Sequence, residues 1–309
     1  MISRRSLLSQ LGVVGVAAAG AYALRDQVIF APPDVTFAHG PDWSRLEDPP
    51  GLVRLAGALG AEPVAVVIDS GAQFSAVDHA LAERLGLKKG LPLPMLAYGV
   101  TGRPTLVRTV SLDLDLAQAR VRGLRAATLD LAALSVATGQ PFALLLGRDV
   151  LKSAVLDVDF PGARAALRPP EAYAPPPGAV SAPTRRRRGA LVAEVRVESA
   201  APIEAVVDTG MSGFLALSAA AAEAAGLLAD GREMRQAQSI GLGGLSVDRV
   251  VRARRLVFAG FVFEDAPVQI YEPALGGAIP SALIGVGLLE RFRVALDHGR
   301  GRLDLVPAR

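Results

Sequence analysis

The sequence predicts a mainly β protein of two homologous lobes, each carrying one short helix or two. Three observations predict it: an internal repeat, short valine- and leucine-rich runs broken by glycine and proline, and a proline-rich joint between the two copies. The repeat is the strongest of the three. "VAVVIDSGAQFSAVDHALAERLGL" at residues 64–87 returns as "IEAVVDTGMSGFLALSAAAAEAAGL" at residues 203–227, which sets Asp69 and Asp208 139 positions apart. "YGVTG" (98–102) returns as "IGLGG" (240–244), and "LLLGRDVLKSAVLDVD" (144–159) as "ALIGVGLLERFRVALD" (282–297). Three blocks recur in one order at a nearly constant offset.

Length and composition agree with two units. A chain of 309 residues exceeds one average domain, and 51% hydrophobic residues with 32 glycines and 22 prolines describe a compact, turn-rich protein. The net charge is only +3, and six arginines (Arg4, Arg5 and Arg185 to Arg188) supply the local basic excess; without them the balance is −3. A nucleic-acid partner would need a basic face on a folded domain, so none is expected. Cysteine is absent, which excludes disulfides, thiol nucleophiles and thiolate metal sites. His39, His79 and His298 lack ligand spacing, so neither a metal nor another cofactor is expected.

Residues 1–23 read as an export signal: twin arginines in "SRRSLL", an apolar stretch from Leu11 to Leu24, and the small-x-small triplet Ala21-Tyr22-Ala23. An uncleaved anchor and an ordinary secretory signal are the alternatives. All three predict a periplasmic or secreted protein whose contact with a membrane is limited to this segment. Residues 24–50, proline-rich and holding the single tryptophan, Trp43, form an N-terminal extension, either a strand or a cleft-blocking propeptide.

The first lobe spans 51–168 and the second 190–309. Between them, residues 169–189 include six prolines and the arginine run with no apolar periodicity, and predict an extended linker outside both cores. "DHALAERLGL" and "SAAAAEAAGL" predict helices, capped at the start by Asp78 or Ser218 and stopped at Gly86 or Gly226. Strand candidates include "VRTVSLDLDLA" and "RRLVFAGFVFE".

One Asp-Ser/Thr-Gly tripeptide after an apolar run is a polar turn. Two copies, each after an apolar strand and each followed by the same helix and the same apolar-apolar-Gly block, are not explained that way. With Asp69-Ser70-Gly71-Ala72, Asp208-Thr209-Gly210, Leu145-Leu146-Gly147 and Leu283-Ile284-Gly285, the chain resembles the pepsin and retropepsin superfamily of aspartic proteases over residues 50–168 and 190–309. The order of blocks is close to that of bacterial retropepsin-like proteins. The resemblance implies two closed-barrel lobes related by a pseudo-two-fold axis, in a monomer, because duplication supplies both half-sites.

It also implies an aspartic endopeptidase acting on peptide or protein substrates in an interlobe cleft. Asp69 and Asp208 would form the catalytic dyad, two carboxyls too close for both to ionise. Ser70 and Thr209 would tie the two loops together, and Gly71 and Gly210 would bring backbone amides to the carboxylates. Tyr98, Gly99 and Gly102 match a substrate-covering flap, with Gly241 and Gly243 at the second tip. Met211 departs from the small or hydroxyl residue usual after Asp-Thr-Gly. A peptide-binding or sensor protein that kept the fold without activity is the alternative.

Overall fold

A computed structural model describes residues 31–37, 42–46, 51–96, 104–229, 231–241, 244–272 and 280–308. The apolar run before each aspartate is a strand, Glu62–Ile68 in the first lobe and Ile203–Val207 in the second. Val64, Val66, Val67 and Ile68 are buried, as are Ala205, Val206 and Val207, because each strand lies inside a barrel with apolar neighbours on both faces. The apolar-apolar-Gly block explains its recurrence here. Leu144–Leu146 pairs in parallel with the first of these strands and Ala282–Ile284 with the second, so each aspartate leaves its strand at a fixed point.

In the first lobe the strands Ala119–Leu129, Ala76–Asp78, Leu144–Leu146, Glu62–Ile68, Arg54–Leu59 and Pro104–Leu116 run in that spatial order, and the last pairs back onto the first. The second lobe repeats the closure with Ala190–Val197, Ile203–Val207, Ala282–Ile284, Leu215–Ser218, Phe261–Tyr271 and Gly244–Phe258. Two closed six-stranded barrels result, mainly β with five short helices among the described residues. Closure pairs the outer strands of each barrel with one another and so removes the open edge that a flat sheet of the same strands would leave.

The helices form where the caps stand. Asp78 accepts from the backbone amides of Ala80 and Leu81 at 3.0 and 3.2 Å and starts His79–Arg84; Ser218 accepts from Ala221 at 3.3 Å and starts Ala219–Ala224. Gly86 and Gly226 then take φ of 60° and 72°, the left-handed conformation that closes a helix. "RRLVFAGFVFE" proves to be parts of two strands joined by a turn at Ala259 and Gly260. Both residues have positive φ, which matches the twist of a tight hairpin.

A six-stranded sheet joins the lobes. Val155–Asp159 of the first copy lies antiparallel to Phe292–Asp297 of the second, flanked by Arg164–Arg168 and Arg302–Pro307. The segment expected to be a linker outside both cores is woven in instead: Val180–Ala182 pairs with residues 303–305, and Thr184–Arg187 pairs with residues 190–193. The absence of apolar periodicity misled because these are edge strands. Their side chains are largely exposed while their backbones supply ladder bonds, and Glu204 ion-pairs with Arg185 and Arg187.

The N-terminal extension also supplies strands. Asp34–Phe37 pairs with residues 119–122, and Ser44–Arg45 with residues 164–165. Between them, the Trp43 ring lies under the guanidinium carbons of Arg164, Arg168 and Arg293 at 4.5, 4.6 and 4.8 Å. Arg168 and Arg293 both bind the fully buried Asp157, so the tryptophan covers an ion network shared by the two copies. Residues 1–23, the proposed signal, lie outside the described residues. Among the described residues no helix is long and apolar enough to cross a membrane.

Candidate active site

Asp69 and Asp208 follow their strands directly, each held by its own amide: Asp69 donates to the carbonyl of Leu146 and Asp208 to that of Ile284, both at 2.9 Å. The two loops then meet across the lobe boundary, and the carboxyls of Asp69 and Asp208 hydrogen-bond one another. Residues 139 apart in sequence become neighbours because equivalent strand ends face each other.

The hydroxyls beside them lock the arrangement reciprocally. Ser70 Oγ donates to the carbonyl of Val207 at 2.7 Å and accepts from the amide of Thr209 at 3.0 Å. Thr209 Oγ1 donates to the carbonyl of Ile68 at 2.7 Å and accepts from the amide of Ser70 at 2.9 Å. Both side chains are fully buried, so all four bonds are made away from water, where a missing partner costs most.

The glycines serve two ends. Gly71 donates its amide to Asp69 Oδ1 at 2.8 Å and Gly210 its amide to Asp208 Oδ1 at 2.9 Å. Each glycine Cα also faces the opposite carboxyl so closely that a Cβ would overlap it. The two half-sites are unequal, however. Ala72 gives Asp69 a second amide bond at 2.9 Å, whereas the amide of Met211 turns to the backbone carbonyl of Asp208 at 3.4 Å.

This inequality sets the electrostatics. Desolvation raises the affinity of both carboxyls for a proton, but two backbone amides and then the neighbouring groups partly offset it at Asp69. Asp208, with one amide, is held well above the ordinary aspartate range by desolvation and next by the charge of Asp69. Backbone amides therefore support a negative charge better on Asp69 than on Asp208.

A group the sequence reading passed over stands behind the pair. Arg148, first residue of the short helix Arg148–Leu151, is buried, and its Nε donates to the carbonyl of Ala72 at 3.1 Å. The adjacent Asp149 carboxylate accepts from Ser75 Oγ and the Ser75 amide at 2.8 and 2.9 Å. At the repeat offsets the second lobe has Val286, Gly287 and Phe214 in these places. The sequence carries a signal for it: "LLGRD" and "LIGVG" occupy equivalent places in the repeat, and only the first holds a charged pair.

A family model described as aspartyl protease matches residues 53–150 and 193–288, more than half of the chain, once in each lobe. The chain belongs to the aspartyl protease family. As a family member it carries each half-site within one of the matched regions: Asp69 to Gly71 in the first and Asp208 to Gly210 in the second. A solved structure of a retropepsin-like aspartic protease from Rickettsia conorii is 22% identical, with a TM-score of 0.31; the match covers 41% of this chain and 89% of that one. No curated protein matches.

The hairpin tips are the part of the expected site that stays outside the described residues: Tyr98, Gly99, Gly102 and Gly243. The strands leading to them are described, with Leu96 paired to Pro104 in the first lobe and Gly241 to Gly244 in the second. Among the described residues no group of three or more His, Asp or Glu could hold a metal ion.

Proposed function

We propose that this family member is an exported aspartic endopeptidase in which Asp69 and Asp208 activate a water molecule against a peptide bond held between the lobes. The observation that supports this most is the hydrogen-bonded carboxyl pair with unequal support, because general acid and base work needs one group ionised and one protonated. Asp69 takes a proton from water as the water oxygen bonds the carbonyl carbon, and Asp208 gives its proton to the carbonyl oxygen. The tetrahedral diol then collapses: the carbon–nitrogen bond breaks, Asp69 passes its proton to the leaving nitrogen, and Asp208 recovers one from the diol hydroxyl. No covalent enzyme intermediate forms. The flap expected around Tyr98 covers the substrate, a role assigned on the family resemblance.

Export rests on "SRRSLL" and the apolar stretch after it. Fractionation of bacteria expressing the chain should find the protein in the periplasm, and an Arg4→Lys/Arg5→Lys variant should stay in the cytoplasm if the twin-arginine route carries it. The decisive test of activity is incubation of residues 24–309 with a diverse peptide mixture beside Asp69→Asn and Asp208→Asn variants. Wild type should generate new termini that both variants fail to produce; identical fragments from all three would overturn the enzyme reading.

A further inference from the structure

Arg148 is a buried cation whose bonds all go to carbonyls. Its Nε and its amide both donate to Ala72, at 3.1 and 3.0 Å, and Nη1 donates to Arg188 at 3.5 Å in the turn that opens the second lobe. Among the described residues it makes no ion pair, although it is only 7% exposed. A guanidinium so placed is costly unless a counter-charge stands near it. Asp69 and then Asp208 are the groups that stabilise its charge most, ahead of its neighbour Asp149.

The charge balance is informative. With one proton the pair bears one negative charge and matches Arg148; with two protons it leaves the arginine uncompensated. The cation is also one-sided, since Val286 occupies the corresponding place in the second lobe, where its amide alone bonds Met211 at 2.7 Å. Arg148 grips the carbonyl of Ala72, whose amide is the second donor to Asp69. The same side chain thus supplies a positive field and fixes the loop that makes Asp69 the better-supported carboxylate.

We propose that Arg148 is a positioning residue that keeps the dyad in its one-proton form and places the negative charge on Asp69. This rests on the reading of Asp69 and Asp208 as the catalytic pair. The other groups facing Arg148 are the Asp149 carboxyl, held by Ser75, and His298, buried beside it with Lys152 and Arg186 near the ring. The bonds of Asp149 to Ser75 do not involve the Arg148 side chain. His298 is neutral over most of the range and adds positive charge only in acid.

The test is the pH profile of kcat/KM on one cleaved peptide for wild type, Arg148→Lys and Arg148→Met. Loss of the cation should move both limbs of the Met variant to higher pH by about one unit, while Lys, which keeps the charge, leaves them in place. A Met variant with lower kcat but an unmoved profile would overturn the proposal, because a purely structural arginine lowers rate without moving the limbs. Thermal unfolding gives a readout independent of activity. Arg148→Met should cost much less in the Asp69→Asn background than in wild type, and an equal loss in both would also overturn it. A wild type that cleaves nothing would sink the protease reading, while the unfolding cycle would still decide whether Arg148 and Asp69 are counter-charges.

Discussion

A Cβ placed on Gly71 would lie 2.5 Å from the carboxyl carbon of Asp208, and one placed on Gly210 would lie 2.4 Å from that of Asp69. Each lobe therefore reserves the space occupied by the other lobe's aspartate. This follows from the face-to-face meeting of two equivalent loops, and it explains the glycine after the hydroxyl residue in both copies better than turn geometry does.

Gly71→Ala and Gly210→Ala should each displace the opposite carboxylate and lower kcat by about a hundredfold, the cost of roughly 1 Å of misplacement in a catalytic group. Unfolding midpoints beside peptide-cleavage rates would check this. Full activity in either alanine variant would show that the carboxyls are not packed as described.

Ser70→Ala removes the partner of the Val207 carbonyl and of the Thr209 amide, and Thr209→Val removes those of Ile68 and Ser70. Each change strands two buried backbone groups at the lobe boundary and should cost about 3 kcal/mol. Chemical denaturation would measure it; a loss under about 0.5 kcal/mol, the level of a surface substitution, would mean that the hydroxyls do not tie the lobes together.

The proposed mechanism requires one carboxyl of the Asp69 and Asp208 pair ionised and the other protonated. Both carboxyls hold their protons more tightly than ordinary aspartates, chiefly through desolvation, so the acid limb lies above the free aspartate range and the alkaline limb higher still. Activity should peak at mildly acidic to neutral pH. A profile peaking below about pH 3.5, on the acid side of a free aspartate, would contradict the environment described.

His298 is 1% exposed, neither ring nitrogen has a hydrogen-bond partner among the described residues, and burial followed by the charges of Arg148, Arg186 and Lys152 lowers its pKa to about 4. The unfolded chain protonates this ring near pH 6.5, so between 6.5 and 4 it binds the proton that the folded protein refuses. The resulting stability is present above pH 6.5 and is lost as pH falls through 4, for a total of about 3 kcal/mol. The difference in unfolding free energy between wild type and His298→Gln should follow that window; parallel curves would rule it out.

The repeat makes the two-lobed β fold, the two helices capped by Asp78 and Ser218, and the correspondence of Asp69 with Asp208 legible in the sequence. These depend on local rules: a strand needs an apolar run, a helix start needs a capping side chain, and a duplicated motif implies a duplicated place. Residues 180–187 were not legible, because an edge strand's stability comes from a partner's backbone and leaves no mark on its own side chains. Nor was Trp43, whose three arginines are separated in sequence and converge only when hairpins of both copies join one sheet.

By itself the sequence determined that two aspartates would be equivalent halves of one arrangement. Only the tertiary structure decided that they are not equal. The repeat is nearly symmetric in residue type, but protonation depends on amides, burial and charge in space. Ala72 turns its amide to Asp69, Met211 turns its amide away from the Asp208 carboxyl, and Arg148 stands on one side alone.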